Sequence, residues 1–115
     1  MGVNSTSLSS VLFESADWDD AGMRLEKVKG DSLRDCSPGF KMSRFMLKPG
    51  ARSPLDCHED KELWFIAAGH GEITRDGHHV MEVRQGDIVE LGSMVSHTVL
   101  NTGQDELLVF AVWWL

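Results

Sequence analysis

Cysteine is scarce in this chain, its basic residues form no cluster, and no apolar run is long; each shortage closes off a class of protein. The two cysteines, Cys36 and Cys57, make neither a Cys-x-x-Cys pair nor a four-cysteine zinc pattern. A disulfide between them is not expected, because 115 residues can bury a core without covalent staples and a cytosolic setting keeps thiols reduced. Eleven Lys+Arg stand against 18 Asp+Glu, a formal net charge of −7. Nucleic-acid readers and anionic-membrane binders need a basic patch, so neither class is expected, and a small molecule or another protein is left as partner. No apolar stretch approaches the roughly 20 residues a membrane-spanning helix requires. Residues 1–10 are polar and serine-rich, unlike a secretory signal, and read as a flexible N-terminal arm of a cytoplasmic protein. A 3.6-residue period, an internal repeat and a linker are missing beyond residue 40, which leaves one domain over 1–115 that is not helical.

What is present is a β pattern. Short runs rich in Val, Ile, Leu and Phe occupy residues 40–48, 63–68, 72–75, 79–83, 87–91, 97–101 and 107–114. Turn residues separate them every eight to twelve positions, as in a sandwich or barrel. Asp76-Gly77 is the sharpest turn signal, because a two-residue type I′ hairpin turn needs positive φ at both central positions. Upstream, edge strands are expected near 11–14 and 23–28, with the acidic loop 17–20 carrying Trp18 over one end of the core.

The spacing of polar residues is more specific. Gly50 is followed by Asp56, His58, Glu62 and Gly69; a second block holds Gly86, Gly92, His97 and Asn101. Asp56 and His58, two apart, would share one face of a strand, and Glu62 lies at a further even separation. Imidazole and carboxylate groups converging inside a small barrel suit a first-row divalent metal such as Fe, Mn, Ni, Zn or Co.

These two blocks resemble the paired motifs of the cupin superfamily: a glycine, a His-x-His pair, a glutamate and a glycine, then a glycine, a Pro-x-Gly turn, a histidine and an asparagine. The resemblance covers residues 50–101 and implies an all-β, antiparallel, jelly-roll barrel. It implies His58, Glu62 and His97 as metal ligands, with Asn101 bracing its turn through hydrogen bonds. Asp56 stands where the family has its first histidine; it is either a fourth ligand or a partner of a ligand histidine or bound water. Gly92 and Met94 replace the proline and glycine of the second motif, which bears on the shape of that loop.

Other residues have plainer roles. Cys57, between two inward residues, reads as a buried thiol pointing away from the site. His78 and His79 read as solvent-facing, and His70 as a turn residue near a barrel mouth. Trp64, Phe65, Ile66, Phe110 and Val112 read as core. Arg44 anchors an acidic substrate group if its strand face lines the pocket and is a surface cation if not. Trp113, Trp114 and Leu115 call for a cover, which a homodimer interface would supply.

The resemblance therefore implies a metal-dependent enzyme acting on a small metabolite, by oxygenase, isomerase, cyclase or lyase chemistry, with Glu62, His97 or Asp56 moving protons. A ligand-binding module without catalysis is the second reading. The third rests on the Glu62-Leu63-Trp64 block and the 110–114 ending: a zinc cupin working with a synthetase-like protein in nitrogen–nitrogen bond formation.

Overall fold

Alternating burial is the rule by which this chain becomes sheet. Along 61–68 the side chains of Glu62, Trp64 and Ile66 turn inward and those between them turn out, and along 107–114 Leu107, Val109 and Ala111 do the same, as the two-residue period of a strand dictates. The computed structural model describes residues 11–29, 32 and 39–115. It contains eight strands, β1 (Met23–Lys27), β2 (Lys41–Leu47), β3 (Lys61–Ala68), β4 (His70–Arg75), β5 (His79–Arg84), β6 (Ile88–Leu91), β7 (His97–Asn101) and β8 (Leu107–Trp114), and no helix among the described residues.

All pairings are antiparallel and form two sheets, one ordered β1-β2-β8-β3-β6 and the other β5-β4-β7. Apolar side chains from both sheets meet between them. Phe45, Leu47, Ile66, Leu91 and Val109 of the first pack with Ile73, Val83 and Val99 of the second in one buried cluster. The seven strands expected from residue 40 onward all form, within about two residues of their expected ends. Asp76 and Gly77 take φ of 52° and 77°, the double positive φ of a type I′ turn.

The connection between β2 and β3 matters most for function. It leaves the large sheet and runs beside β7. Gly50 N donates to Asn101 O at 2.9 Å, Ser53 N to Val99 O at 2.8 Å, and Asp56 and His97 exchange a reciprocal pair of bonds at 3.0 and 2.9 Å. Two isolated bridges, Arg52↔Leu100 and Asp56↔His97, mark it as a broken strand on the edge of the small sheet. Asn101, almost fully buried, holds the crossing in place. Its amide donates to Leu47 O at 2.9 Å and Asp105 O at 2.8 Å, and its Oδ1 accepts from Gly103 N at 2.8 Å.

The N-terminal part differs from expectation. Among the described residues, the stretch near 11–14 contributes one bridge, Phe13↔Val28. Trp18 lies under two cations, Arg24 at 4.9 Å and Lys48 at 5.0 Å, instead of over apolar core. Phe65, Phe110 and Val112 are only half-buried because they occupy the outward face of the large sheet; there Phe13 meets Phe110 edge-to-face at 5.8 Å. The 1–10 arm and Cys36 lie outside the described residues.

Candidate metal centre

The Asp56–His97 bridge sets a loop residue directly opposite the first residue of β7. His58 follows in irregular backbone just before a bend at 59–60, not on a strand, so it reaches the same place by a different route from the parity argument. Glu62 arrives on the inward face of β3. Each histidine has its Nδ1 tied to a backbone carbonyl, His97 to Val95 O at 2.9 Å and His58 to Asp60 O at 3.1 Å. A carbonyl only accepts, so both Nδ1 atoms carry hydrogen and both Nε2 atoms face inward. They converge on one carboxylate oxygen: Glu62 Oε1 is 3.1 Å from His58 Nε2 and 3.4 Å from His97 Nε2.

Asp56 completes the group from the solvent side, its Oδ2 3.8 Å from His58 Nε2 and its Oδ1 accepting from Cys57 N at 2.9 Å. One donor atom from each of Asp56, His58 and His97 falls within 4.8 Å of the others. Trp64, two residues after Glu62 and hence on the same face, donates its indole N–H to Glu62 Oε2 at 2.8 Å. Its ring also stands edge-on to His97 at 5.3 Å. Trp64 read from sequence as plain core, yet the period-two rule already placed it beside Glu62.

The protonation states follow from this packing. Burial pushes the Glu62 carboxyl up, but hydrogen bonds from His97 and Trp64 and the nearby imidazoles outweigh it and leave it below the ordinary 4.5. Burial pushes His97 down, and the hydrogen bonds to Glu62 and Val95 O, with the charges of Glu62 and Asp56, more than reverse it to above 6.5. Two imidazole lone pairs aimed at a carboxylate need a positive charge between them. A proton on His97, which the raised affinity favours, would supply it, and a divalent cation fits the same donors.

The group sits at one end of a cavity of about 360 Å³ whose wall includes Met23, Phe45, Trp64 and Trp113. Ser43 and Phe45 line it. Arg44 therefore faces the other way, its Nε 2.7 Å from Glu26 Oε1 and its guanidinium 4.2 Å from the Phe13 ring. It is not a substrate anchor. Trp113, read as wanting a cover, forms part of the cavity wall, while Leu115 is exposed. Cys57 is a free and exposed thiol, contrary to its reading as buried, because residue 57 lies on the loop and its Sγ reaches only Met94 O, at 3.4 Å. Met94 takes φ 61°, so the loop keeps the left-handed turn without the glycine of the motif. His78 and His79 are exposed, as is His70 beside Thr102.

The Cupin domain family model matches residues 43–113. The chain belongs to the cupin family. Among solved structures, this cupin is similar to a Cupin 2 conserved barrel domain protein from Salinispora arenicola, at 25% identity and TM-score 0.74, covering 88% of this chain and 82% of that one. A predicted oxalate decarboxylase from Thermotoga maritima superposes with TM-score 0.72 at 23% identity, covering 100% and 99%. A protein from Photorhabdus luminescens does so with TM-score 0.76 at 17% identity, covering 94% and 87%. The last two likenesses speak for the fold alone.

Proposed function

We propose that this cupin binds one first-row divalent metal through His58, Glu62 and His97, with Asp56 as a fourth, carboxylate ligand, and acts as a metal-dependent enzyme on a small molecule held in the adjoining cavity. The observation that carries this reading is the pair of pinned imidazoles. Both Nδ1 atoms are spent on backbone carbonyls, so both Nε2 atoms are presented to the same carboxylate oxygen, at 3.1 and 3.4 Å. Outer hydrogen bonds of this kind fix ring orientation in metal sites and raise ligand basicity. The metal, when bound, would polarise a substrate oxygen as a Lewis acid.

The protein's own residues have distinct parts in this reading. Trp64 keeps Glu62 ionised and oriented through the indole bond to Oε2. Asp56 is the most solvent-open of the four, with its side chain 63% exposed, which makes it the group best placed to take up or release a proton at the cavity mouth.

Elemental analysis of the purified protein tests the metal site. One equivalent of metal per chain is expected, falling below a tenth in His58→Ala, whose side chain is 28% exposed, and in His97→Gln. Equal metal content in wild type and both variants would refute the site. Metal retained with no metal-dependent turnover of any cavity-sized compound would leave a binding module.

A further inference from the structure

The cavity beside the metal group does not end at its far wall. It shares Leu25, Ser43 and Trp113 with a groove of about 530 Å³ whose lining adds Lys27, Phe40 and Lys41. Strand register brings these side chains together. Glu62 pairs with Trp113 and Trp113 with Lys41, so these three form one row on the inward face of β3, β8 and β2. The neighbouring row on that face runs Trp64, Ala111, Ser43 and Lys27. Lys41 therefore stands two strands, about 10 Å, from Glu62. Lys27 lies directly opposite Ser43, which makes it the diagonal neighbour of Lys41.

The two ends of this trough differ in charge. At one end, a divalent ion held by the Asp56 and Glu62 carboxylates and two neutral imidazoles carries no net charge. At the other end the groove presents two ammonium groups, and among the described residues no acid lines it. Asp60 lines the cavity and shares a second groove with Lys41. Yet among the described residues no ion pair joins Lys27 or Lys41 to a carboxylate. Even with Asp60 counted, two lysines against one aspartate leave the far end positive. Between the ends the lining is apolar, and Trp113 borders the cavity and both grooves. Neighbouring ammonium groups on one face suit a single anion that accepts hydrogen bonds from both. Arg44 cannot take that part, because it faces away against Glu26.

We infer that the site takes an elongated molecule that presents oxygen donors to the metal, lays an apolar middle along Trp113, and ends in an anionic group held by Lys27 and Lys41. This rests on the metal reading above and adds to it the class of ligand. Lys27 and Lys41 are the residues that determine specificity, by selecting charge and length together.

Isothermal titration calorimetry on zinc-loaded protein tests this with hydroxamates, after zinc content has been measured. Suberic acid monohydroxamate carries a carboxylate at the end of a chain long enough to span the trough; octanohydroxamate has the same chain and no charge. An exposed ion pair is worth up to about fivefold in affinity, so with two lysines the acid should bind about tenfold more tightly. That advantage should fall below about twofold in about 0.5 M salt. Lys27→Gln and Lys41→Gln, both at exposed positions, should each reduce it, and the double variant should abolish it. Zinc content and octanohydroxamate affinity should stay unchanged in all three. Succinic acid monohydroxamate, too short to reach the lysines, should gain nothing over butyrohydroxamate. An equal affinity for the two long probes, an advantage that survives in the double variant, or the same advantage for the short acid overturns the inference. So does zinc-loaded protein that binds neither long probe. In each of these cases the retained zinc leaves the metal reading standing, whereas a protein that holds no zinc overturns both.

Discussion

Removing the metal should move the pH at which this cupin is most stable, and the structure fixes the direction. In the metal-free chain, His97 has its proton affinity raised above 6.5. Its contribution to stability is therefore complete below 6.5 and is lost as pH rises through the raised folded value. Glu62 is lowered below 4.5, so its contribution is present above 4.5 and is lost as pH falls through the lowered value. Metal-free protein should thus be most stable between these limits and should weaken toward about pH 8. Metal reverses the trend because it displaces the His97 proton. Its apparent affinity falls tenfold per pH unit below the folded value of that group. With zinc at about 100 times its dissociation constant near pH 8, linkage adds about 2.7 kcal/mol, or roughly 10 °C in Tm for a chain of this size. At about pH 5.5, at least one unit below the folded value of His97, the same zinc is at most tenfold above its constant and adds no more than about 1.4 kcal/mol, roughly 5 °C. Thermal unfolding by circular dichroism, with and without zinc at the two pH values, measures both. An equal zinc-induced gain at each pH, or metal-free stability rising steadily from about 5.5 to 8, would refute this account of the His97 proton.

Trp64→Phe removes the indole bond to Glu62 Oε2 and should lower zinc affinity about tenfold, as losing an outer hydrogen bond commonly does, when read by competition with a chromophoric chelator. Asn101→Ala leaves the Leu47 carbonyl and the Gly103 N–H without their partner and should cost about 3 kcal/mol in urea unfolding. Met94→Gly relieves a left-handed backbone at φ 61°. It should stabilise by about 1 kcal/mol, the strain relieved less the added freedom of the unfolded chain.

The barrel was legible because its signals are local. Alternation along 61–68 and 107–114, and Asp-Gly at 76–77, act within a few residues, and no distant contact overrides them. The metal group was legible only as a set of spacings. Sequence placed Asp56 and His58 on one strand face, whereas the chain brings them together by bridging Asp56 to His97 and bending just after His58, at 59–60. The exposure of Cys57 follows from that difference, since inward–outward parity holds only on a strand. Arg44 could not be assigned, because parity alone cannot say which face of β2 is inside. The partner that decides it, Glu26, lies 18 positions away in the chain. Trp64 is core as its size suggested, but hydrophobicity hid the second role of its single polar atom, the indole bond to Glu62.

The reciprocal Asp56–His97 pair ties the integrity of the site to two particular amides. The loop that carries Asp56 is held beside β7 by a broken series of bonds, not a full ladder, so it should be the first part of the barrel to open. In native-state hydrogen exchange, the Asp56 and His97 N–H signals would then exchange together and ahead of those in β3 and β8. Slowing of that pair on adding metal would report occupancy without any substrate in hand.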